Sequence, residues 1–213
     1  MAPLAQIERP PAGDPAGLLV LHHGRGTDER DLLGLADHLD PERRLRVVSV
    51  RAPLRLPGSP GYHWYLVPRV GYPDPESFHA ARAALAELHD GLWGETGVGP
   101  EATVFGGFSM GSVMSYAMAL GAERPAVAGI LAFSGFVPTV EGWEPALADR
   151  TATRAFVAHG RNDPIMEIGF AERARDLLEA GGLEVAYHES DVGHQIDPAH
   201  LAAASGWLGE TLG

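Results

Sequence analysis

The 213-residue chain contains no cysteine, which excludes disulfide bonds, cysteine-bound zinc and a thiol nucleophile, although it leaves the redox compartment open. Any nucleophile must be found elsewhere. No apolar run approaches the ~20 residues that a membrane-spanning helix needs. The start, Met1-Ala2-Pro3-Leu4-Ala5-Gln6, lacks the basic and hydrophobic regions of a signal peptide. These absences point to a cytoplasmic protein without stable membrane insertion. Positive charge is also scarce, with 16 basic against 28 acidic residues and a formal net charge of −12. Such a surface repels phosphate backbones, and the densest basic cluster, Arg43, Arg44 and Arg46, is too short to argue for nucleic acid.

What is present suits one domain spanning residues 1–213, since 45% hydrophobic residues suffice for a substantial core. Apolar, β-branched runs alternate with helical patterns, the signature of an α/β fold with a mostly parallel sheet covered by helices on both faces. Strands are expected at Gly17 to His22, Leu45 to Val50, Ala102 to Phe108, Val127 to Phe133, Arg154 to Ala158 and Leu183 to His188. Helices are expected at Glu29 to Leu39, Glu76 to Leu92, Met110 to Leu120, Ile168 to Ala180 and Ala199 to Leu208. A turn at Pro10 to Pro15 would join a short edge strand to the first central one. The stretch Pro53 to Pro75, rich in Pro, Gly and aromatics, has no period and reads as a long irregular excursion of the kind that carries function.

The chemistry centres on Gly107-Phe108-Ser109-Met110-Gly111. A serine hydroxyl is a weak nucleophile, and a sharp strand-to-helix turn exposes it to both a base and a substrate. Gly-x-Ser-x-Gly is short enough to arise by chance, but here it follows a strong strand and opens a helix. Side chains at Gly107 or Gly111 would collide with the neighbouring strand or helix, and Ser109 itself is expected in a strained backbone conformation. Ser112 and Ser115 read as small residues that pack this helix on the sheet.

An acid and then a base should follow, each on a loop after a later strand. Asp163 lies in His159-Gly160-Arg161-Asn162-Asp163-Pro164, and His194 lies in Asp191-Val192-Gly193-His194. Asp191 competes for the acid position. His159, His188 and His200 compete for the base position and read instead as packed or solvated. In this scheme His194 takes the Ser109 proton and Asp163 fixes the imidazole. Backbone N–H groups of Met110 and, in the turn Leu21 to Gly26, of Arg25 are the candidate oxyanion donors. The neighbours His22 and His23 point to opposite faces of a strand and lack a zinc-motif partner, so no metal is expected.

Together these residues resemble the phospholipase/carboxylesterase family of compact α/β-hydrolases, which includes acyl-protein thioesterases and small bacterial carboxylesterases. Leu21 to Glu29, Arg51-Ala52-Pro53, the serine turn, Phe133 to Phe136, His159 to Pro164 and Gly193-His194 carry the resemblance. It implies an α/β-hydrolase fold without a large cap domain, a Ser109, Asp163, His194 triad, oxyanion donors at Arg25 and Met110, no cofactor, and Trp64 beside the acyl pocket. Met110, where many eukaryotic thioesterases carry Gln, brings the chain closer to bacterial esterases. The expected activity is hydrolysis of short- to medium-chain carboxylic esters or thioesters, the partner being that small molecule. Trp64, Phe136 and Ile165 are the pocket candidates, with Tyr65, Val137 and Met166 as further apolar lining. Arg25 and Arg69 would offer cations to an anionic substrate, although exposed loop arginines are common. A dienelactone-hydrolase-like lactonase and an idle fold serving as a binding module remain the alternatives, and a homodimer is left open.

Overall fold

The computed structural model describes residues 3–213; Met1 and Ala2, where the expected leaderless start begins, lie outside the described residues. In chain order the main sheet contains β1 (Gln6–Arg9), β2 (Gly17–His22), β3 (Leu45–Val50) and, after a two-stranded hairpin of β4 (Leu54–Arg55) and β5 (Tyr62–His63), β6 (Thr103–Phe108), β7 (Gly129–Phe133), β8 (Arg154–Gly160) and β9 (Val185–Ser190). Its spatial order is β1-β3-β2-β6-β7-β8-β9, with β1 antiparallel to β3 and every other neighbour parallel. The helices are α1 (Arg30–Leu33), α2 (Ala36–Leu39), α3 (Pro75–Thr96), α4 (Met110–Leu120), α5 (Gly169–Ala180) and α6 (Pro198–Leu212). This is an α/β-hydrolase-like fold with no large cap.

The continuous apolar run of β2 follows from having both faces covered. Successive side chains alternate across the sheet, so Leu18 and Val20 join the core under α3, α4 and α5, while Leu19 and Leu21 join the one under α1, α2 and α6. The chain runs from β2 to one side through β3 and then returns to the other side as β6. Between β2 and β6 the strand order therefore reverses, the place where open α/β sheets form a crevice beyond their carboxyl ends.

Most expected elements occupy their expected residues, with strand ends moved by up to two positions. The helix expected over Glu29 to Leu39 is divided into α1 and α2. At Leu35 the ladder tightens to a bond three residues back, Leu35 N–H to the Leu32 carbonyl at 2.9 Å, which turns the second piece so that Ala36 and Leu39 are buried. The excursion from Pro53 to Pro75 is irregular apart from β4 and β5. Among the described residues, no helix is long and apolar enough to cross a membrane.

Two core histidines carry a stability cost. The His22 ring has its Nδ1 2.9 Å from Ser115 Oγ, while its Nε2 and both nitrogens of His89 are buried without a partner among the described residues. His89 stacks on Phe105 with ring centroids 4.2 Å apart. Burial, assisted by His23, lowers the His22 pKa to about 3, and burial, assisted by His22 and Arg124, holds His89 well below its usual value. The unfolded chain protonates both near pH 6.5, so below that pH it binds more protons than the native state and stability falls as pH drops. Urea midpoints at pH 8 and pH 5 test this. His89→Phe keeps the stack and removes a titrating group, so its midpoint should fall less between the two pH values than that of the native protein, and an equal fall would contradict it.

Candidate active site

Ser109 joins β6 to α4 with φ 56° and ψ −120°, a conformation that side chains rarely adopt. The strain expected of this residue is present. It can persist because the surroundings leave the chain no alternative: a Cβ on Gly111 would lie 1.8 Å from the His22 carbonyl oxygen, and one on Gly107 would lie 2.4 Å from the Gly111 carbonyl carbon. Ser109 N–H donates to the Phe133 carbonyl at 2.9 Å. Ser112 does more than pack. Its Oγ lies 2.6 Å from the Gly107 carbonyl and 2.8 Å from that of Phe133, and it accepts from Phe133 N–H at 3.0 Å, fastening α4 to β6 and β7.

Parallel strands bring three loops to the same edge. Ser109 Oγ is 2.9 Å from His194 Nε2, and His194 Nδ1 is 2.6 Å from Asp163 Oδ2. The second carboxylate oxygen, Oδ1, accepts from the N–H groups of Ile165 and Met166, both at 2.8 Å. Burial opposes ionisation of Asp163, but these N–H groups and the His194 ring outweigh it and hold the carboxyl below its ordinary value. The His194 ring leans on Phe108 with centroids 4.9 Å apart. Asp191, the sequence neighbour weighed against Asp163, turns outward to Arg161 at 2.7 Å with its side chain 82% exposed.

The turn after β2 closes the arrangement. His23 Nδ1 lies 2.7 Å from the Gly24 carbonyl, and its Nε2 accepts from Ala52 N–H at 3.0 Å, so it supports the loop, as its place in the sequence suggests. Gly26 N–H donates to the Tyr62 carbonyl and Tyr62 N–H to the Thr27 carbonyl, both at 2.8 Å, so β5 braces the turn that carries Arg25. Among the described residues, no backbone carbonyl accepts from the N–H of Arg25 or of Met110, and both residues border the cavity beside Ser109.

That cavity has a volume of about 360 Å³. Of the candidate lining residues, Phe136, Ile165, Tyr65 and Met166 border this cavity and Val137 does not. Trp64 requires a correction. Its side chain is fully buried behind the wall, its Nε1–H donates to the His23 carbonyl at 2.8 Å, and the adjacent Tyr65 takes the place beside the cavity. An indole N–H seeks a buried acceptor, and the His23 carbonyl supplies it.

Of the two readings open to His159 from the sequence, packed or solvated, the structure shows the packed one, and its position adds a role beside the acid. Its buried Nε2 lies 2.8 Å from the Met166 carbonyl and 3.6 Å from Asp163 Oδ2, so the ring ties down the loop whose N–H groups hold the carboxylate. Burial, ahead of every other influence, keeps its pKa low and the ring neutral. The signal available was its spacing, four residues before Asp163 at the end of a strand.

A family model described as Phospholipase/Carboxylesterase matches residues 4–212. The chain is 32% identical over 119 residues to esterase YpfH of Escherichia coli (strain K12), a match covering 55% of this chain and about half, 49%, of that protein. It is 25% identical to acyl-protein thioesterase 1 of Debaryomyces hansenii over 83% of this chain and 76% of that one. Among solved structures, the Bacillus cereus carboxylesterase superposes with a TM-score of 0.86 at 27% identity, covering 99% of this chain and 95% of that one.

The close approach of α4 to β2 gives a direct test. Gly111→Ala places a methyl group inside the contact distance of the His22 carbonyl, a backbone atom that cannot move aside cheaply. A loss of roughly 1–3 kcal/mol or more is expected from such overpacking. Thermal unfolding should therefore show a melting temperature lowered by about 2 °C or more; an unchanged value would mean that the helix does not sit this close.

Proposed function

Because this chain belongs to the phospholipase/carboxylesterase family and is a serine ester hydrolase, we propose that residues 1–213 act as one domain. Its Ser109 cleaves short- to medium-chain carboxylic esters or thioesters through an acyl-enzyme. The observation that carries the proposal is the hydrogen-bonded chain from Ser109 through His194 to Asp163, at 2.9 and 2.6 Å.

In this reading the Ser109 oxygen attacks the substrate carbonyl carbon while its proton passes to His194 Nε2. The N–H groups of Arg25 and Met110 receive the negative charge that develops on the carbonyl oxygen. Asp163 keeps the Nδ1 proton of His194 in place and stabilises the imidazolium. His194 then returns the proton to the departing alcohol or thiol. Water attacks the acyl group on Ser109 with His194 again as base, which releases the acid and restores the serine. The chemistry needs no cofactor.

Chain length follows from volume. A cavity of about 360 Å³, walled by Tyr65, Val67, Phe136 and Met166, suits a short or medium acyl chain. The sequence-based alternatives receive less support: serine rather than cysteine stands at the turn, which disfavours the lactonase, and a complete hydrogen-bonded chain disfavours an idle binding module.

A fluorophosphonate probe should label the native protein and leave Ser109→Ala unlabelled, and p-nitrophenyl esters should lose kcat/KM beyond medium acyl lengths. Equal labelling of the two proteins would overturn the assignment of the nucleophile. A preference for long acyl chains would overturn the assignment of the pocket.

A further inference from the structure

The charges around the cavity run against those of the molecule. The chain carries −12 formally, yet the cavity lining holds two arginines, Arg25 and Arg69, against one carboxylate, Asp31. Elsewhere arginines are mostly spent on carboxylates: Arg9, Arg46, Arg51, Arg124 and Arg161, for example, each have one within 4 Å. Among the described residues, neither Arg25 nor Arg69 has such a partner, and Asp31 forms no ion pair with either.

Arg69 is also held in place. Its guanidinium lies over the Tyr72 ring, 3.7 Å from the centroid, and Tyr72 N–H donates to the Arg69 carbonyl at 3.0 Å across the turn. The turn is pinned in its own right, because Gly71, at φ 87°, packs so closely on Phe170 that an added Cβ would lie 3.0 Å from that ring. A guanidinium stacked on an aromatic face keeps its in-plane N–H donors free and pre-oriented, the arrangement suited to a planar carboxylate. Val67, Val70 and Tyr72 beside it are apolar but exposed, so Arg69 stands at the open rim of the cavity, where an incoming substrate meets its charge first.

Resting on the reading of Ser109 as nucleophile, we propose that the preferred substrates are esters or thioesters carrying a carboxylate at the end remote from the scissile bond, received by Arg69. The apolar wall takes the intervening methylenes. Arg25 adds a second positive charge on the same cavity, while its backbone N–H serves the oxyanion. The overall negative charge of the protein would slow the approach of such substrates, and a local cation offsets this at the point of entry.

The test uses pairs of p-nitrophenyl esters of equal length, one ending in a carboxylate and the other in a neutral carboxamide. With the native protein at low salt, kcat/KM should favour the carboxylate by roughly tenfold, which corresponds to about 1.4 kcal/mol. Added salt should reduce the ratio. Arg69→Gln should bring the ratio close to one, and Arg69→Lys should restore part of it, since the charge returns without the planar fork. A native ratio at or below one, or a ratio unchanged in Arg69→Gln, would overturn the proposal. Ser109→Ala, assayed with the carboxamide ester, separates the two claims. If it is inactive while the native ratio is one, only the anion proposal fails; if it remains active, the underlying assignment of the nucleophile fails.

Discussion

The site depends on a backbone conformation that the chain would not adopt unaided. Ser109 sits at φ 56°, a value unfavourable for a residue with a side chain, and it is kept there by contacts on three sides. The β6 strand fixes the approach, the Phe133 carbonyl receives the Ser109 N–H, and α4 departs so closely past β2 that only hydrogen fits at Gly111. The helix direction and the Met110 N–H, unpartnered among the described residues, follow from that turn. Relaxing it would swing the hydroxyl away from His194, so local strain here is offset by packing that spreads over β2, β6, β7 and α4.

The remaining parts are arranged by sheet topology. Parallel strands deliver the loops after β2, β6, β8 and β9 to one edge, and the reversal of strand order between β2 and β6 opens the space that the substrate needs. Around Asp163 the structure supplies donors rather than counter-charges: two backbone N–H groups on one oxygen and the His194 ring on the other. His159 secures the carbonyl side of the same loop. A carboxylate satisfied in this way can be buried, remain ionised and orient an imidazole without a salt bridge to an arginine.

Much of this was legible in the sequence because each feature has a local cause. Gly107 and Gly111 signal close approach, the order of Ser109, Asp163 and His194 follows the order of the strands, and the alternating apolar runs and helical periods locate the sheet. The illegible parts depend on what meets across space. Trp64 was expected at the pocket, yet its N–H finds the His23 carbonyl and the ring is drawn behind the wall. The division between α1 and α2 arises from a tightened bond at Leu35 that no periodicity reveals. The role of His159 depends on how the following loop folds back to bring the Met166 carbonyl, seven residues on, to its ring, and the seat of Arg69 depends on Tyr72 and Phe170.

Ester cleavage by this site requires that the acyl group pass through Ser109. Rapid mixing of the native protein with p-nitrophenyl butyrate, acid quenching within milliseconds and peptide mass mapping would show this directly. A butyryl group is expected on the peptide containing Ser109, with a burst of nitrophenolate approaching one per chain. A butyryl group found on another residue, or undiminished ester turnover by Ser109→Ala, would contradict that requirement.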